Sequence, residues 1–547
     1  MMRALLRTLG FGMLACAPSL DADFGTSDSG RNGCGPSLAP HDVQSTAATS
    51  PLAGQVLEVG GVVTLAATSS PERAGFFLQS LAADADPRSS EALFVVWPGA
   101  PPPTGTRVRA RGTVRETAGM TELDAIERLD ECGTAGISPE PLDVRELEQP
   151  EAWEGMWVRA EGDWTLLDAP HDGGDGPVTA SPRGRWYASG HVLGSADAPE
   201  LWTVRAPPAK DRGPDAASPV LRLGAQLDHL SGVLRVEGEA RELLSAQAPP
   251  WPVVIPAPPP RPAGSRLRLV ALNLHNYFVD RGGRGAQSEA ELERQRDKLV
   301  AALSALDADV LALTELENRG TESLAHLLDG LDRALPGSAR YAFEEGPSPI
   351  AGVLRAGIAF RPARVRSRGA AWFSDTPGFR RPPLFQSFEA EGVAFTLGVV
   401  HLASKLCDDE PEVVSPEGCG DDTRRREAAL LLDAARRLGA AAPLEPVLLM
   451  GDFNADTRES PLELLSQGGF DDLLSKLPAP DRYSYVFDAR ASLLDHALAP
   501  RQWAASVRGA AIWHINADEP RQSSDADGSS SADPRRSSDH DPIVIDW

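Results

Sequence analysis

Residues 446–456 read PVLLMGDFNAD, an apolar run from Val447 to Met450 closed by Gly451 and two polar side chains, Asp452 and Asn454. A run this short, bounded by a turn residue, reads as a buried strand. Gly451 permits a tight turn directly after it, so Asp452 and Asn454 reach one cleft while Phe453 between them is directed into packing. Such a pair suits hydrolysis: the carboxylate holds an attacking water, and the amide donates to an oxygen on which charge grows. Working outward, the same arrangement recurs at Asn273 in VALNLHNY, Glu315 in LTELENRG, His401 in VVHL, Asp495 in LLDHAL, and Asp539 and His540 in SSDHDP. Polar side chains at the mouths of core strands are where a β-rich scaffold places metal and hydrolytic chemistry.

Each position has a bland reading beside the functional one. Asn273 alone would be a turn residue; in this company its neutral amide completes a cation's oxygen shell or orients a carboxylate. Glu315 stands where an apolar residue should continue the strand, and a carboxylate there is costly without a cation or base beside it, which favours a metal ligand over a helix-start acid. His540 acts as a base or charge stabiliser only when its ring is oriented, and Asp495 is the nearest orienting carboxylate. His496, beside Asp495, points the other way and reads as structural.

Around these motifs the pattern alternates. Strands RLRLVALNL, ADVLALTEL, AGIAFRP, GVAFTLGVVHL, PVLLMGDFN, RYSYVF, LLDHALA and DPIVIDW are interspersed with helices over about 289–306, 321–331 and 422–438. Several strands follow one another without a helix, so the body is layered α/β rather than regularly doubly wound.

The 547 residues exceed one ordinary core. The division expected is a signal peptide at 1–20, a flexible leader at 21–48 rich in Asp, Ser, Gly and Ala, a β domain at 49–139, a second at 140–250, a Pro-rich linker at 251–264, and the catalytic domain at 265–547. The stretches QVLEVGGVVTL, AGFFLQS, EALFVVW, TRVRARGTVRE and MTELDAI suggest a small closed barrel. GMWVRAEGDWTLL, GRWYASG, APELWTVRA and LSGVLRVEGEARELL repeat the idea, and GTRVRARGTV parallels GMWVRAEGDW as in a duplication. Phe76, Phe77, Trp97, Trp153, Trp157 and Trp186 are the aromatics to weigh for base stacking against the commoner role of core filling.

A net charge of −25 argues against a nucleic-acid coat protein, but not against an enzyme that meets phosphates through a divalent cation and a few arginines. Arg3 and Arg7 precede a short apolar stretch ending at Cys16, the flanks of an export signal, and no later run is long enough for a transmembrane helix. Met13-Leu14-Ala15-Cys16 resembles a bacterial lipoprotein signal, which would put lipid on Cys16; cleavage near Ala17 or Asp21 is the alternative. The location is extracytoplasmic, released or lipid-anchored at the cell envelope. Of the other cysteines, Cys407 and Cys419 share a loop and Cys34 and Cys132 flank the first β domain, so those two disulfides are expected.

Taken together, MGDFNAD, the strand-borne Asn273 and Glu315, VVHL and SSDHDP make residues from about 266 to the end resemble the DNase-I-like endonuclease/exonuclease/phosphatase superfamily. WHINADEP and YSYVFDARASLLDHAL look like its secreted bacterial nuclease branch, and the β domains resemble the oligonucleotide/oligosaccharide-binding (OB) barrels that precede the catalytic domain there. The resemblance implies a four-layer α/β sandwich and phosphoester hydrolysis with Mg2+ or Mn2+, or Ca2+. It implies metal binding by Asn273, Glu315 and Asp539, a water-orienting Asp452, a phosphate-contacting Asn454, the pair Asp495 and His540, and His401 on a phosphate oxygen or leaving group. The phosphate-contacting arginine is Arg380 or Arg381. Three features depart from the family: the strand around Ile358 lacks the acidic or aromatic residue that would orient His401, Thr314 replaces a common Gln, and QSSDADGSSSADPRRSSDHD is unusually polar and expected to order with ligand. The substrate implied is DNA, with RNA as a second substrate, and no obligate protein partner. The rivals are a phosphatase or phospholipid phosphodiesterase of the same superfamily, for which no exposed aromatic hairpin is evident, and a noncatalytic nucleic-acid-binding module.

Overall fold

The computed structural model describes residues 35–547 except 69–72, 85, 145–146, 148, 171–175, 188–199, 208–220, 282, 338–339, 345–351, 408–414, 416 and 521–532. The export segment, Cys16 and Cys34, and residues 521–532 of the polar loop therefore lie outside the described residues.

A short helix, α1 (Pro40–Gln44), precedes β1 (Val56–Thr68), β2 (Ala74–Gln79), β3 (Ala92–Val96), β4 (Thr106–Thr117) and β5 (Met120–Thr134). These strands close into a barrel in the order β1-β2-β3-β5-β4. Alternation does the sorting: in β4, Val108, Ala110 and Val114 point inward while Arg111 and Arg115 face solvent. Residues 35–44, assigned by composition to the leader, lie on this barrel instead. Leu38 bridges to Val59, and Val43 is buried in the barrel core, because two apolar side chains in a polar run suffice to dock a short segment. Cys132 is disulfide-bonded.

The next unit comprises β6 (Glu140–Asp143), β7 (Trp157–Asp168), β8 (Val178–Ser181), β9 (Trp186–Tyr187), β10 (Trp202–Arg205), β11 (Gln226–Glu237) and β12 (Ala240–Leu244). Pairing of β11 with both β7 and β12 closes a ring β7-β8-β10-β12-β11, with β6 added to β7. This repeats the first barrel's order, including a parallel pairing of third and fifth strands, β10 with β12 as β3 with β5. Trp164 and Trp202 meet edge-on in its core, 5.2 Å apart. The GRWYASG strand leaves this barrel: β8 takes its place, and β9 pairs elsewhere.

The C-terminal half contains two mixed sheets. The first has β13 (Arg268–Tyr277), β14 (Val310–Glu317) and β15 (Leu354–Phe360), completed by the chain's last strands. The second has β16 (Arg366–Ser367), β17 (Trp372–Phe373), β18 (Leu384–Ala390), β19 (Val393–His401), β20 (Val447–Asp452) and β21 (Phe470–Asp472). After them come β22 (Tyr485–Phe487), β23 (Arg490–Ser492), β24 (Asp495–Pro500), β25 (Gly509–Ile512) and β26 (Ile543–Asp546). The sheet orders are β15-β14-β13-β26-β25 and β16-β18-β19-β20-β24-β21, with β17 on β18. Their facing sides share one core, including Leu269, Ile358, Phe388, Leu397 and Ile545. Helices α2 (Glu289–Leu306) and α3 (Glu322–Ala334) cover the outer face of the first sheet, and α4 (Asp421–Ala441) and α5 (Ser460–Gln467) that of the second. Leu292, Leu299, Leu303 and Leu306 recur at helical spacing on the buried side of α2, and Ser288 caps its N-terminus by accepting from Glu291 N. The result is four layers, helix, sheet, sheet, helix. A Cys407–Cys419 disulfide spans 12 positions with Cα atoms 5.3 Å apart. Among the described residues no helix is long and apolar enough to cross a membrane.

Candidate active site

The mouths of β13, β14, β19, β20 and β24 converge. β13 and β14 run in parallel register as far as Asn273 opposite Thr314 and then lose it, while β14 slips against β15 between Leu313 and Leu316. At these breaks His275, Asn276 and Glu315 adopt φ of 54°, 55° and 61°. A bulge of this kind re-aims a side chain that an unbroken pleat would direct into packing, and left-handed backbone at non-glycine positions is strain typical of functional sites. Gly451 does not turn the chain but continues β20, paired with Val400 and His496; its φ is 132°, and a Cβ there would collide with the Val400 carbonyl, so only glycine fits next to Asp452.

Asp452 is 1% exposed and held from two sides. Its Oδ1 accepts from Asn454 N at 2.8 Å; its Oδ2 accepts from Asn273 Nδ2 at 3.1 Å and Asn454 Nδ2 at 3.2 Å. Burial pushes the Asp452 carboxyl up, with His540 opposing and Asp495 and Glu315 adding to the rise. Phe453 packs beneath it, fully buried. Asn454 also donates from Nδ2 to Leu402 O at 3.1 Å, so both of its amide hydrogens have acceptors.

His540 is aimed by Asp495, Nδ1 to Oδ2 at 2.7 Å. Burial alone would disfavour its charge, but Asp495 and Asp452 outweigh burial and raise it well above the ordinary range. His401 is its opposite. Burial, with Arg381 and His540 near, holds it well below that range, hence neutral. Its Nε2 sits 3.5 Å from Asp452 and 3.8 Å from Glu315, and its buried Nδ1 has no hydrogen-bond partner among the described residues. The orienting group missing from the Ile358 strand is thus not replaced at Nδ1.

Arg381 is the arginine of the cleft. It donates to Leu402 O at 2.6 Å and faces Asp452 and Glu315, whereas the Arg380 side chain is exposed and its backbone N–H binds Glu427.

Two donor sets present themselves for a cation. Ligand atoms of Asp452, Asp495 and His540 lie within 4.8 Å of one another, but the 2.7 Å bond already engages His540 with Asp495. Glu315 offers more. Its Oε2 accepts from Asn276 N at 2.8 Å, and among the described residues Oε1 accepts no hydrogen bond and faces the cleft beside His401. The neighbouring Asn276 Oδ1 is buried and without a partner. Free carboxylate and amide oxygens suit a hard divalent cation. Asn273 Oδ1 accepts from His275 N, and Asp539 lies 3.9 Å from His275. Burial works against ionisation of Asp539, but His275, His540 and Arg536 together hold it below the usual carboxylate range.

Sequence reasoning gave no role to the supports of His540. Ser484 Oγ donates to Asp495 Oδ2 at 2.7 Å, and Asn516 Nδ2 donates to the His540 carbonyl at 2.7 Å. Asp541 accepts from Asn516 N, Ala517 N and His514 Nδ1. The signal was present, since Ser484 lies in YSYVF and Asn516 in WHINADEP, but periodicity does not say what a loop residue touches.

The second barrel reaches this support. Arg185 binds Asp518 at 2.6 Å and lies 4.4 Å over the Tyr483 ring; Arg222 binds Asp518, Glu519 and the His514 carbonyl. Tyr483 donates to Asp518 at 2.9 Å and stacks on His514 at 4.0 Å. β9 extends the β22–β23 hairpin into a three-stranded sheet beside His540. This hairpin carries Tyr485 and the exposed Phe487, an aromatic hairpin that the sequence did not disclose. Of the aromatics weighed for stacking, Phe76 and Phe77 are core, while Trp97, Trp153, Trp157 and Trp186 are half-buried.

Comparison with known proteins follows the same half of the chain. An endonuclease/exonuclease/phosphatase family protein from Bacteroides thetaiotaomicron is 20% identical, the match covering 51% of this chain and 94% of that one with a TM-score of 0.36. A mannosyl-6-phosphatase from the same organism is 20% identical, covering 51% and 98% with a TM-score of 0.35. D. rerio TDP2, solved with a single-strand DNA product, is 17% identical, covering 51% and 98% with a TM-score of 0.34. No curated protein matches the chain. The family model described as Endonuclease/Exonuclease/phosphatase family matches residues 270–540, the span that holds every residue of the cleft and both sheets apart from β26 and the start of β13. That segment of the chain matches the endonuclease/exonuclease/phosphatase family, whose members hydrolyse phosphoester bonds with divalent metal.

Proposed function

We propose that the protein is an exported, metal-dependent nuclease that hydrolyses phosphodiester bonds of DNA, with RNA as a second substrate, and that residues 49–139 and 140–250 are OB-type modules placed ahead of the catalytic domain. The observation that carries the reading is the buried Asp452–His540–Asp495 cluster at the strand mouths, in which an acid pushed toward protonation faces a histidine pushed toward charge.

The roles follow from these environments. A carboxylate whose pKa is raised is a better proton acceptor, so Asp452 takes the proton of the attacking water. The His540 imidazolium, kept in orientation by Asp495, and the Arg381 guanidinium face the phosphoryl oxygens as negative charge grows there. Neutral His401, with its proton on Nε2, donates a hydrogen bond to a phosphate oxygen. Asn273 and Asn454 hold Asp452 in place, and Asn454 reaches phosphate by exchanging its Leu402 contact. Glu315, Asn273 and Asp539 are the proposed ligands of Mg2+ or Mn2+, or Ca2+, which when bound supplies Lewis-acid stabilisation of the phosphoryl charge.

Two like barrels ahead of the catalytic half, the second of them in contact with the loops behind His540, support a polymeric substrate over a small phosphomonoester. Purified protein incubated with plasmid DNA and Mg2+ or Mn2+ is expected to nick and degrade it, with chelator abolishing the reaction. Absence of chelator-sensitive cleavage with both metals from neutral to alkaline pH, or far faster hydrolysis of a phosphomonoester or sphingomyelin, refutes the reading.

A further inference from the structure

The three-stranded sheet formed by β22, β23 and β9 has two unlike faces. Val486, Ala491 and Tyr187 are cross-strand neighbours and pack inward with Tyr483 and Ala517. The other face carries Tyr485 opposite Ser492, and Phe487 opposite Arg490, which is itself opposite Trp186. Directly paired residues project to one side, so these form a row across the boundary between the catalytic domain and the second barrel.

The row begins at the catalytic histidine. The Tyr485 ring lies 4.7 Å from that of His540, and Phe487 continues the row nearly parallel to Tyr485, 8° between planes and 6.4 Å between centres. Beside Phe487, the Arg490 guanidinium sits 5.7 Å from the Trp186 ring. Phe487 is 53% exposed, although the inward face of the same hairpin is well packed. Among the described residues Arg490 has no carboxylate partner within ion-pair distance, in a chain of net charge −25.

We propose that Phe487, Arg490 and Trp186 form a stacking shelf for the unpaired bases of a single-stranded nucleic acid whose scissile phosphate lies at His540. The inference rests on the nuclease reading and adds to it a strand preference and a role for the second barrel. Aromatic faces interleaved with arginine are the sequence-tolerant way to hold single strands, because every base has a π-face. An acidic protein gains little from long-range attraction to phosphate, so affinity must come from contacts of this short-range kind. A line of rings one residue wide, starting at the cleft, fits a threaded strand rather than a bilayer, which needs a protruding apolar tip.

The test uses the full chain and a short fluorescent oligothymidylate in chelator, read by anisotropy, with Mn2+-supported hydrolysis of bis(p-nitrophenyl) phosphate as a separate measure of the cleft. Phe487→Ala and Trp186→Ala are each expected to weaken oligothymidylate binding about fivefold to a hundredfold. Phe487→Tyr retains binding near the parent's, and all three variants hydrolyse the small ester normally. Unchanged binding in both alanine variants overturns the shelf, as does an equal loss on oligothymidylate and ester, and so does hairpin-dependent binding to phosphatidylcholine vesicles with none to the oligothymidylate. A parent that binds oligothymidylate through the shelf but never cuts it refutes the nuclease reading and leaves the shelf standing.

Discussion

Asp495→Asn is the most exacting change that can be made to this cleft, because it preserves shape and removes only the charge. Asp495 Oδ2 accepts two hydrogen bonds, from His540 Nδ1 at 2.7 Å and Ser484 Oγ at 2.7 Å, while its Oδ1 is buried with no partner. An asparagine has two ways to sit. With its NH2 toward His540, it donates where it should accept, so the ring must carry its proton on Nε2 and offer Nδ1 as acceptor. With its oxygen toward His540, the NH2 falls at the position of Oδ1, where no acceptor waits, at a cost of about 1–3 kcal/mol for a buried unsatisfied donor. In both cases the charge that favours imidazolium is gone, and the His540 and Asp495 side chains are only 8% and 1% exposed, so water does little to replace it. Loss of an oriented, correctly protonated histidine is expected to lower kcat by about a hundredfold to ten-thousandfold, with KM changed little. The assay is initial-rate cleavage of a labelled oligonucleotide with Mn2+, alongside circular dichroism to confirm the fold. A kcat within threefold of the parent's in a folded sample would show that Asp495 does not act through His540, and the reasoning would fail.

Asp452→Ala and His540→Ala are each expected to lower cleavage by roughly a hundredfold or more without loss of the folded far-ultraviolet spectrum, and near-normal turnover in either contradicts its role. Glu315→Ala should weaken Mn2+ binding measured by calorimetry as well as the rate, and a titration like the parent's removes Glu315 from the metal site. His496 is a stability element: its Nδ1 meets Asp472 at 2.8 Å and its Nε2 meets the Ala455 carbonyl at 2.8 Å, so both nitrogens need protons. Burial opposes that charge, yet Asp472 raises the group from 6.5 to about 9, so the stabilisation is complete below the lower value and lost as pH rises through the higher. Urea denaturation should show a loss of roughly 3 kcal/mol across that window, absent in His496→Gln, and a flat profile in the parent refutes it. Arg222→Ala takes the close buried partner from Glu519 while Asp518 keeps Arg185, and should cost roughly 3–5 kcal/mol in thermal or urea unfolding, with partial rescue by Arg222→Lys.

What could be read from the sequence divides along a physical line. Strands that end in a polar residue at a cleft announce themselves, because a polar group breaking an apolar run has few structural excuses; Asn273, Glu315, His401, Asp452, Asp495 and His540 were singled out this way and converge in the structure. The structural reading of His496 likewise agrees with its bond to Asp472. Helix α2 was legible to its ends because Ser288 and the leucine spacing mark both cap and face. Elements toward the sheet margins were not. β18, reading LFQSFEA, and the edge strand β25, reading GAAI, carry no alternation clear enough to separate from loop. Arg380 and Arg381 are chemically identical and adjacent, and only the turn geometry before β18 decides which one enters the cleft. Trp186 and Tyr187 look like a barrel strand by composition, and nothing local reports that their hydrogen-bonding partner lies some 300 positions away.

That distant pairing changes how the second barrel is to be understood. A Pro-rich linker alone would leave a module free to move, which suits a domain that only captures substrate. Here the linker is not the main connection. Arg185 and Arg222 insert into a loop whose Asn516 holds the His540 carbonyl and whose neighbour Ala517 binds Asp541, so the barrel grips the segment that carries His540 from behind. On the open side, β9 lends a strand to the hairpin whose Tyr485 lies against the same histidine. A short two-stranded hairpin is marginal by itself, and a third strand is what gives such a unit stability. Deleting the barrel would therefore remove a support of the cleft together with any substrate contact, and point substitutions at Phe487 and Arg222 are the way to tell the two contributions apart.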